Sequence, residues 1–404
     1  MSTASITTVR SKPIEDQAAE GDLRSRAEAV AACAAKNADN VDREGRFPDE
    51  AIGVARTQRL LGILVPSELG GEGATISDVV DVCYVIGRSC SSTAMIYAMH
   101  QIMVACLIRH GRTSAWHRDL LRRVNTQQTL LASSTTEGRS GGDLRSSDSA
   151  VEHHDSHITL SRAATVVSYG AQADGIVTTA RRAIDAPNSD QVLVAFLKDD
   201  YSLERLSGWD ALGMRGTCSA GFALKARGEA AQILPDPYQK IHAHSMVPIA
   251  HLTWTGVWSG VAAGAVHRAR MFVRNAARHA GGQLPPGAAH LTRATAQLRA
   301  LRAMVASALQ RFEAASSKEE ELESLDFQTA MNFLKVNASE MAISTVMSCL
   351  QACGLSGYRN DGEFSISRSL RDILSSPIMI NNDRILANIA NTTLLTEVPP
   401  LLRD

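Results

Sequence analysis

The sequence predicts a mixed, mainly helical α+β fold: an N-terminal helical domain, a middle β-barrel or β-sandwich domain and a C-terminal four-helix bundle. Three observations predict it. Aromatics make up only 4% of the 404 residues and Ala-rich stretches dominate both ends, which favours helices there over short strands. Across residues 129–233 the apolar pattern shortens to brief runs separated by turn residues. Beyond Ser245 long helical stretches return. The expected boundaries are a disordered N-terminus over 1–15, a helical domain over 16–128, a β domain over 129–240 and the bundle over 241–404.

Taken in order, residues 23–37 are helical in composition, and Pro48 with Asp49 and Glu50 opens a second helix with proline and acids in its first turn. The run at 60–65 stops at Pro66 and the glycines at 70, 71 and 73. A helix over 77–88 follows, with Ser77 and Asp78 at its expected cap. The apolar stretch 91–109 ends at His110 and Gly111. In the β region, apolar runs at 130–132, 158–160, 176–178 and 192–196 read as strands, with a turn at 187–190 and an exit at Pro235 and Pro237. The bundle helices are expected over 257–278, 290–314, 327–353 and 367–391.

Composition narrows the function. Forty-one Lys+Arg against 42 Asp+Glu leave a net charge of −1, so the global basic footprint of a nucleic-acid binder is missing. The first thirty residues lack the apolar core of a secretory signal. Seven Cys with no C-x-x-C pair read as reduced thiols, and the expected compartment is cytoplasmic. Residues 246–266 run 21 positions without Asp, Glu, Lys or Arg, but Pro248, His251, Thr253, Thr255 and Ser259 favour a buried helix over a membrane span. The histidines at 153, 154 and 157 have no second ligand cluster, so no metal site is expected.

Four motifs point further. They are L-V-P-S-E-L-G-G at 64–71, T-T-E-G-R-S-G-G-D-L-R at 135–145, L-G-M-R-G-T-C-S at 212–219, and Q-A-C-G-L-S-G-Y at 351–358 followed by Arg371-Asp372. In this order the chain resembles the acyl-CoA dehydrogenase superfamily over about residues 20–395. The resemblance implies a flavin-dependent oxidoreductase, with FAD or a reductase-supplied reduced FMN or FAD as cofactor. It implies flavin contacts from Ser133, Thr135, Thr136, Gly141, Gly142, Val166, Ser168 and Asn382. From a neighbouring subunit of a homotetramer it implies Arg278, Gln351 and Gly354, although Gly281 stands where the family has Phe after that Arg. Hydroxyls and backbone donors suit the ring edge, and Gly141 and Gly142 allow close approach to a phosphate.

The pattern breaks at the base. In the resembled dehydrogenases a Glu removes the α-proton of an acyl thioester, eight residues after the Asp of the R-D pair. That count lands on Ile380, and the family's alternative position lands on Val257, beside Trp258. An aliphatic side chain accepts no proton. Asp383, one helical turn beyond Ile380, is a substitute base, against a structural reading as a helix-end cap or a salt bridge with Arg384. His100 falls where related flavin monooxygenases use a histidine, against a reading as a core residue with both ring nitrogens satisfied. The leading expectation is α,β-dehydrogenation of an acyl-CoA or acyl-carrier-protein thioester, with an electron-transfer partner. The alternatives are a monooxygenase fed by a flavin reductase, and a catalytically silent scaffold.

Overall fold

The computed structural model describes residues 21–137 and 146–395. Five helices come first: α1 Leu23–Glu44, α2 Asp49–Thr57, α3 Ile76–Gly87, α4 Ser91–His110 and α5 Ala115–Gln127. Asp22 caps α1 by accepting from the Ser25 amide, and Gly45 ends it in the left-handed conformation. The cap of α3 is Thr75, not Ser77: Thr75 and Asp78 exchange side-chain and backbone hydrogen bonds in a capping box. The helix α4 is long and apolar enough to cross a membrane, but 89% of its most apolar window is buried inside the protein. It is a core helix.

Among the described residues seven strands follow: β1 Leu131–Ser134, β2 Val151–His154, β3 His157–Ala164, β4 Gly175–Arg181, β5 Gln191–Leu197, β6 Tyr201–Ser207 and β7 Gly221–Glu229. They form two sheets, β1-β4-β5 and β2-β3-β7-β6. The pair β1 and β4 is parallel and the other pairs are antiparallel. The alternation of β3, with Ile158, Leu160, Arg162 and Ala164 buried and their neighbours mostly exposed, marks a sheet with one face on the core.

The C-terminal region comprises a short α6 Tyr238–Ile241, a π-helical turn His242–Met246 and the long α7 Val247–His279. Then come α8 Ala288–Ala315, α9 Glu319–Glu323, α10 Leu325–Cys353, α11 Leu355–Tyr358, α12 Ser367–Ile373 and α13 Asn382–Leu395. Two expectations are corrected here. The first long helix begins at Val247 rather than 257, because Pro248 in the first turn needs no amide partner. The fourth helix is broken into α12 and α13. Pro377 interrupts the helical ladder, and Ile380 sits at φ 47°, a conformation β-branched residues rarely adopt. The Gly/Ala half of α7 crosses α3 closely: a Cβ on Gly260 would lie 2.4 Å from the Tyr84 carbonyl.

Candidate functional site

A cavity of about 1060 Å³ opens where α4, the β sheets, α7, α10 and α13 converge. Its β-side wall carries Ser133, Thr135, Thr136, Val166 and Ser168, together with the 211–219 loop. That loop is anchored across the chain. The Met214 amide donates to the Asp372 carboxylate at 2.7 Å, and Arg371 donates to the Leu212 carbonyl at 3.0 Å while pairing with Asp42. A Cβ on Gly213 would sit 2.2 Å from the Arg371 carbonyl, so glycine is required there. Burial pushes the Asp372 carboxyl pKa up, opposed by Arg368. Two of the four sequence motifs are therefore one structural unit.

The hydroxyls of this wall have a fixed direction. Thr217 Oγ1 donates to the Met214 carbonyl at 2.8 Å, so it accepts from Ser219 at 2.7 Å. Ser219 has then spent its proton and accepts from Ser168 at 2.8 Å. Ser168 keeps only lone pairs, so toward the cavity it acts as an acceptor. An acceptor hydroxyl beside the Ser133, Thr135 and Thr136 groups, in a cavity of this size, suits a flavin ring edge that both donates and accepts. These residues fit the cofactor.

The helical walls are mostly apolar, with Met95, Met99 and Met103 from α4 and Ile378, Met379 and Ile380 before α13. The ionisable residues lining the cavity are His242, His251, Arg371 and Arg384; among the described residues no Asp or Glu lines it. Behind Ile380 lies Lys335, fully buried. Its ammonium donates to the Ile380 carbonyl at 2.8 Å and to Asn382 Oδ1 at 2.6 Å, and it lies 5.8 Å from the Trp258 ring centroid. Desolvation lowers its pKa to about 7. This buried amine holds the left-handed backbone of Ile380 in the cavity wall.

The residues expected from sequence divide into three groups. Ser133, Thr135, Thr136, Val166 and Ser168 meet at the cavity. Gly141 and Gly142 lie outside the described residues. The remainder stand elsewhere, and three of them need correction. His100 is a core residue: the Leu131 amide donates to Nδ1 at 3.0 Å, and Nε2 donates to the Leu61 carbonyl at 2.8 Å. Burial lowers its pKa to about 4, and it does not line the cavity. Asp383 is exposed in the first turn of α13 and away from the cavity lining, so apolar neighbours do not desolvate it. Asn382 is buried against Lys335 and Ser339 instead of facing the cavity. Arg278, Gln351 and Gly354 are exposed on the bundle. Sequence alone does not signal buried Lys335 or the place of His251 in the cavity wall, although His251 stands out as a histidine in an uncharged stretch.

Against known proteins, the acyl-CoA dehydrogenase N-terminal domain matches residues 18–127 and the acyl-CoA dehydrogenase C-terminal domain matches residues 251–395. L-evernosamine nitrososynthase of Micromonospora sp. is 27% identical over 353 residues, covering 84% of this chain and 81% of that protein. Cyclohex-1-ene-1-carbonyl-CoA dehydrogenase of Syntrophus aciditrophicus is 24% identical over 369 residues, covering 89% of this chain and 86% of its own length. The crystal structure of FMN-bound TdsC from Paenibacillus sp. A11-2 superposes with a TM-score of 0.81 at 18% identity, covering 93% of this chain and 98% of that one.

Proposed function

The chain belongs to the acyl-CoA dehydrogenase family of flavin-dependent oxidoreductases, and from that premise we propose that it is a reduced-flavin-dependent monooxygenase. One observation carries the reading: among the described residues, no carboxylate lines the cavity. Dehydrogenation of a thioester needs a base at the α-carbon, and Ile380 occupies the sequence position where the family has one. The nitrososynthase and TdsC, a dibenzothiophene monooxygenase, lend support from the side of the relatives. Bound flavin supplies the redox chemistry. The chain's own contribution is an acceptor hydroxyl at Ser168, hydroxyls along β1 and a methionine-rich wall that excludes water.

In this reading a flavin reductase is the electron partner and the compartment is cytoplasmic. A homotetramer is part of it: Gln351 and Gly354 adjoin exposed Leu355 and Tyr358 in sequence, and Arg278 is likewise exposed on the bundle, as a neighbouring subunit would need. The test starts from the visible spectrum of the purified chain. Anaerobic acyl thioesters are expected to leave bound oxidised flavin unbleached, and reductase-supplied FMN is expected to drive oxygen uptake that depends on added substrate. Bleaching by a thioester in the absence of oxygen would return the assignment to dehydrogenation with a relocated base.

A further inference from the structure

The cavity holds a second polar cluster, built by α7 and α10 rather than by the β sheets. His251 is 3% exposed and lines the cavity. Its Nδ1 lies 2.9 Å from the Met331 carbonyl, which has no proton, so Nδ1 carries the hydrogen and donates. The lone pair is then on Nε2. That atom has no protein partner among the described residues, and unlike Trp254 Nε1 one turn along it is not a sealed buried atom. Burial and the Lys335 charge behind it hold the imidazole pKa at about 3, so the ring stays neutral. On α10, Thr329 and Asn332 also line the cavity, and among the described residues neither side chain has a hydrogen-bond partner.

We propose that His251 Nε2 is a specificity-determining acceptor that selects neutral substrates carrying an N–H or O–H group, with Thr329 and Asn332 completing the polar end of their site. At this end of the cavity charge argues against the other classes. An anionic group would meet a lone pair at the imidazole, the lining cations Arg371 and Arg384 belonging to α12 and α13, and an ammonium would find no carboxylate among the described lining residues. A saturated acyl tail would leave the three groups unpaired, which buried sites penalise. The inference rests on the cavity being the substrate site of the proposed enzyme, but not on its oxygen chemistry.

The probes are indole and indene, near-isosteric bicycles of which only indole carries an N–H. Calorimetric titration of the full chain with each is expected to show indole binding about tenfold more tightly. His251→Leu should erase that preference by weakening indole alone, whereas His251→Gln, whose amide oxygen still accepts, should restore part of it. Indole binding no more tightly than indene, or not at all, overturns the proposal; so does a preference that survives in His251→Leu. Should the leucine variant fail to fold, the wild-type ratio and the glutamine variant still decide. Binding requires neither oxygen nor turnover, so failure here is distinguishable from failure of the monooxygenase reading.

Discussion

The helices α4 and α7 each bury a neutral histidine, and the two differ by one hydrogen bond. On α4, His100 spends both ring nitrogens, tying the Leu61 carbonyl of the N-terminal region to the Leu131 amide that starts β1. On α7, His251 spends one nitrogen on α10 and keeps the other. Residue type and burial are the same, so neither predicts a chemical role. The number of unspent lone pairs does.

That comparison can be stressed in several ways, and acid is the strongest. Burial lowers the pKa of His100, of His117 in the first turn of α5 and of His251 to about 4, 4 and 3 against an ordinary 6.5. Their stabilisation is complete above pH 6.5 and is lost progressively as pH falls from there through 4 and 3, because the unfolded chain takes up the protons first. Each contributes up to about 1.4 kcal/mol per pH unit in that window. Thermal unfolding followed from pH 7 to pH 4.5 should show a steep fall in midpoint, and a flat profile would mean that these rings are not held neutral.

Substitution separates the two histidines. His100→Leu strands the buried Leu131 amide and leaves the Leu61 carbonyl the longer 3.3 Å bond from Gln101, and is expected to cost about 2–5 kcal/mol in denaturant unfolding, with the indole-to-indene ratio unchanged. His251→Leu removes only a second bond to the Met331 carbonyl, which keeps its place in the α10 ladder, and should cost about 1 kcal/mol, with the ratio lost. The comparison breaks if the two variants are equally destabilised and equally indifferent to the probe. Lys335 is a smaller lever. Its folded pKa near 7 lies below its ordinary 10.5, so the unfolded chain holds the extra proton between those values and this contribution to stability rises with pH. Lys335→Met should remove a slope of at most about 1.4 kcal/mol per pH unit from the pH 7–10 profile, measured as the difference from wild type. The smallest effect is expected at Asp383. Exposed in the first turn of α13, Asp383→Asn should cost less than about 1 kcal/mol and leave turnover intact. A large loss of activity there would revive it as a base.

Much of the architecture was legible because its signals are local. The strand runs, the loop after Pro187 and the long helices were readable from apolar spacing and breakers. The break between α12 and α13 was missed, because one proline competes with a strongly helical composition on both sides. At the site, the hydroxyl side of the cavity was readable from the motif at 135–136 and from Ser168. The helical side was not. Whether His100 or His251 has a nitrogen to spare depends on the carbonyl of Leu61 or Met331, tens of residues away, and no spacing rule reports that. Asp383 looked like a base by helical periodicity, yet the turn around Ile380 changes the face it presents.

The hydrogen bond from Met214 to Asp372 joins residues 158 positions apart, and the Gly213 backbone can approach α12 only where a side chain would collide. During synthesis the β-side loop is made long before its anchor exists. The cavity assigned to the cofactor in the proposed reading is thus a product of late loop closure, while the sheets that present its hydroxyls rest on contacts of shorter range. Flavin retention accordingly reports on completion of the chain's folding: a form arrested before α12 docks would keep its β structure and release the cofactor.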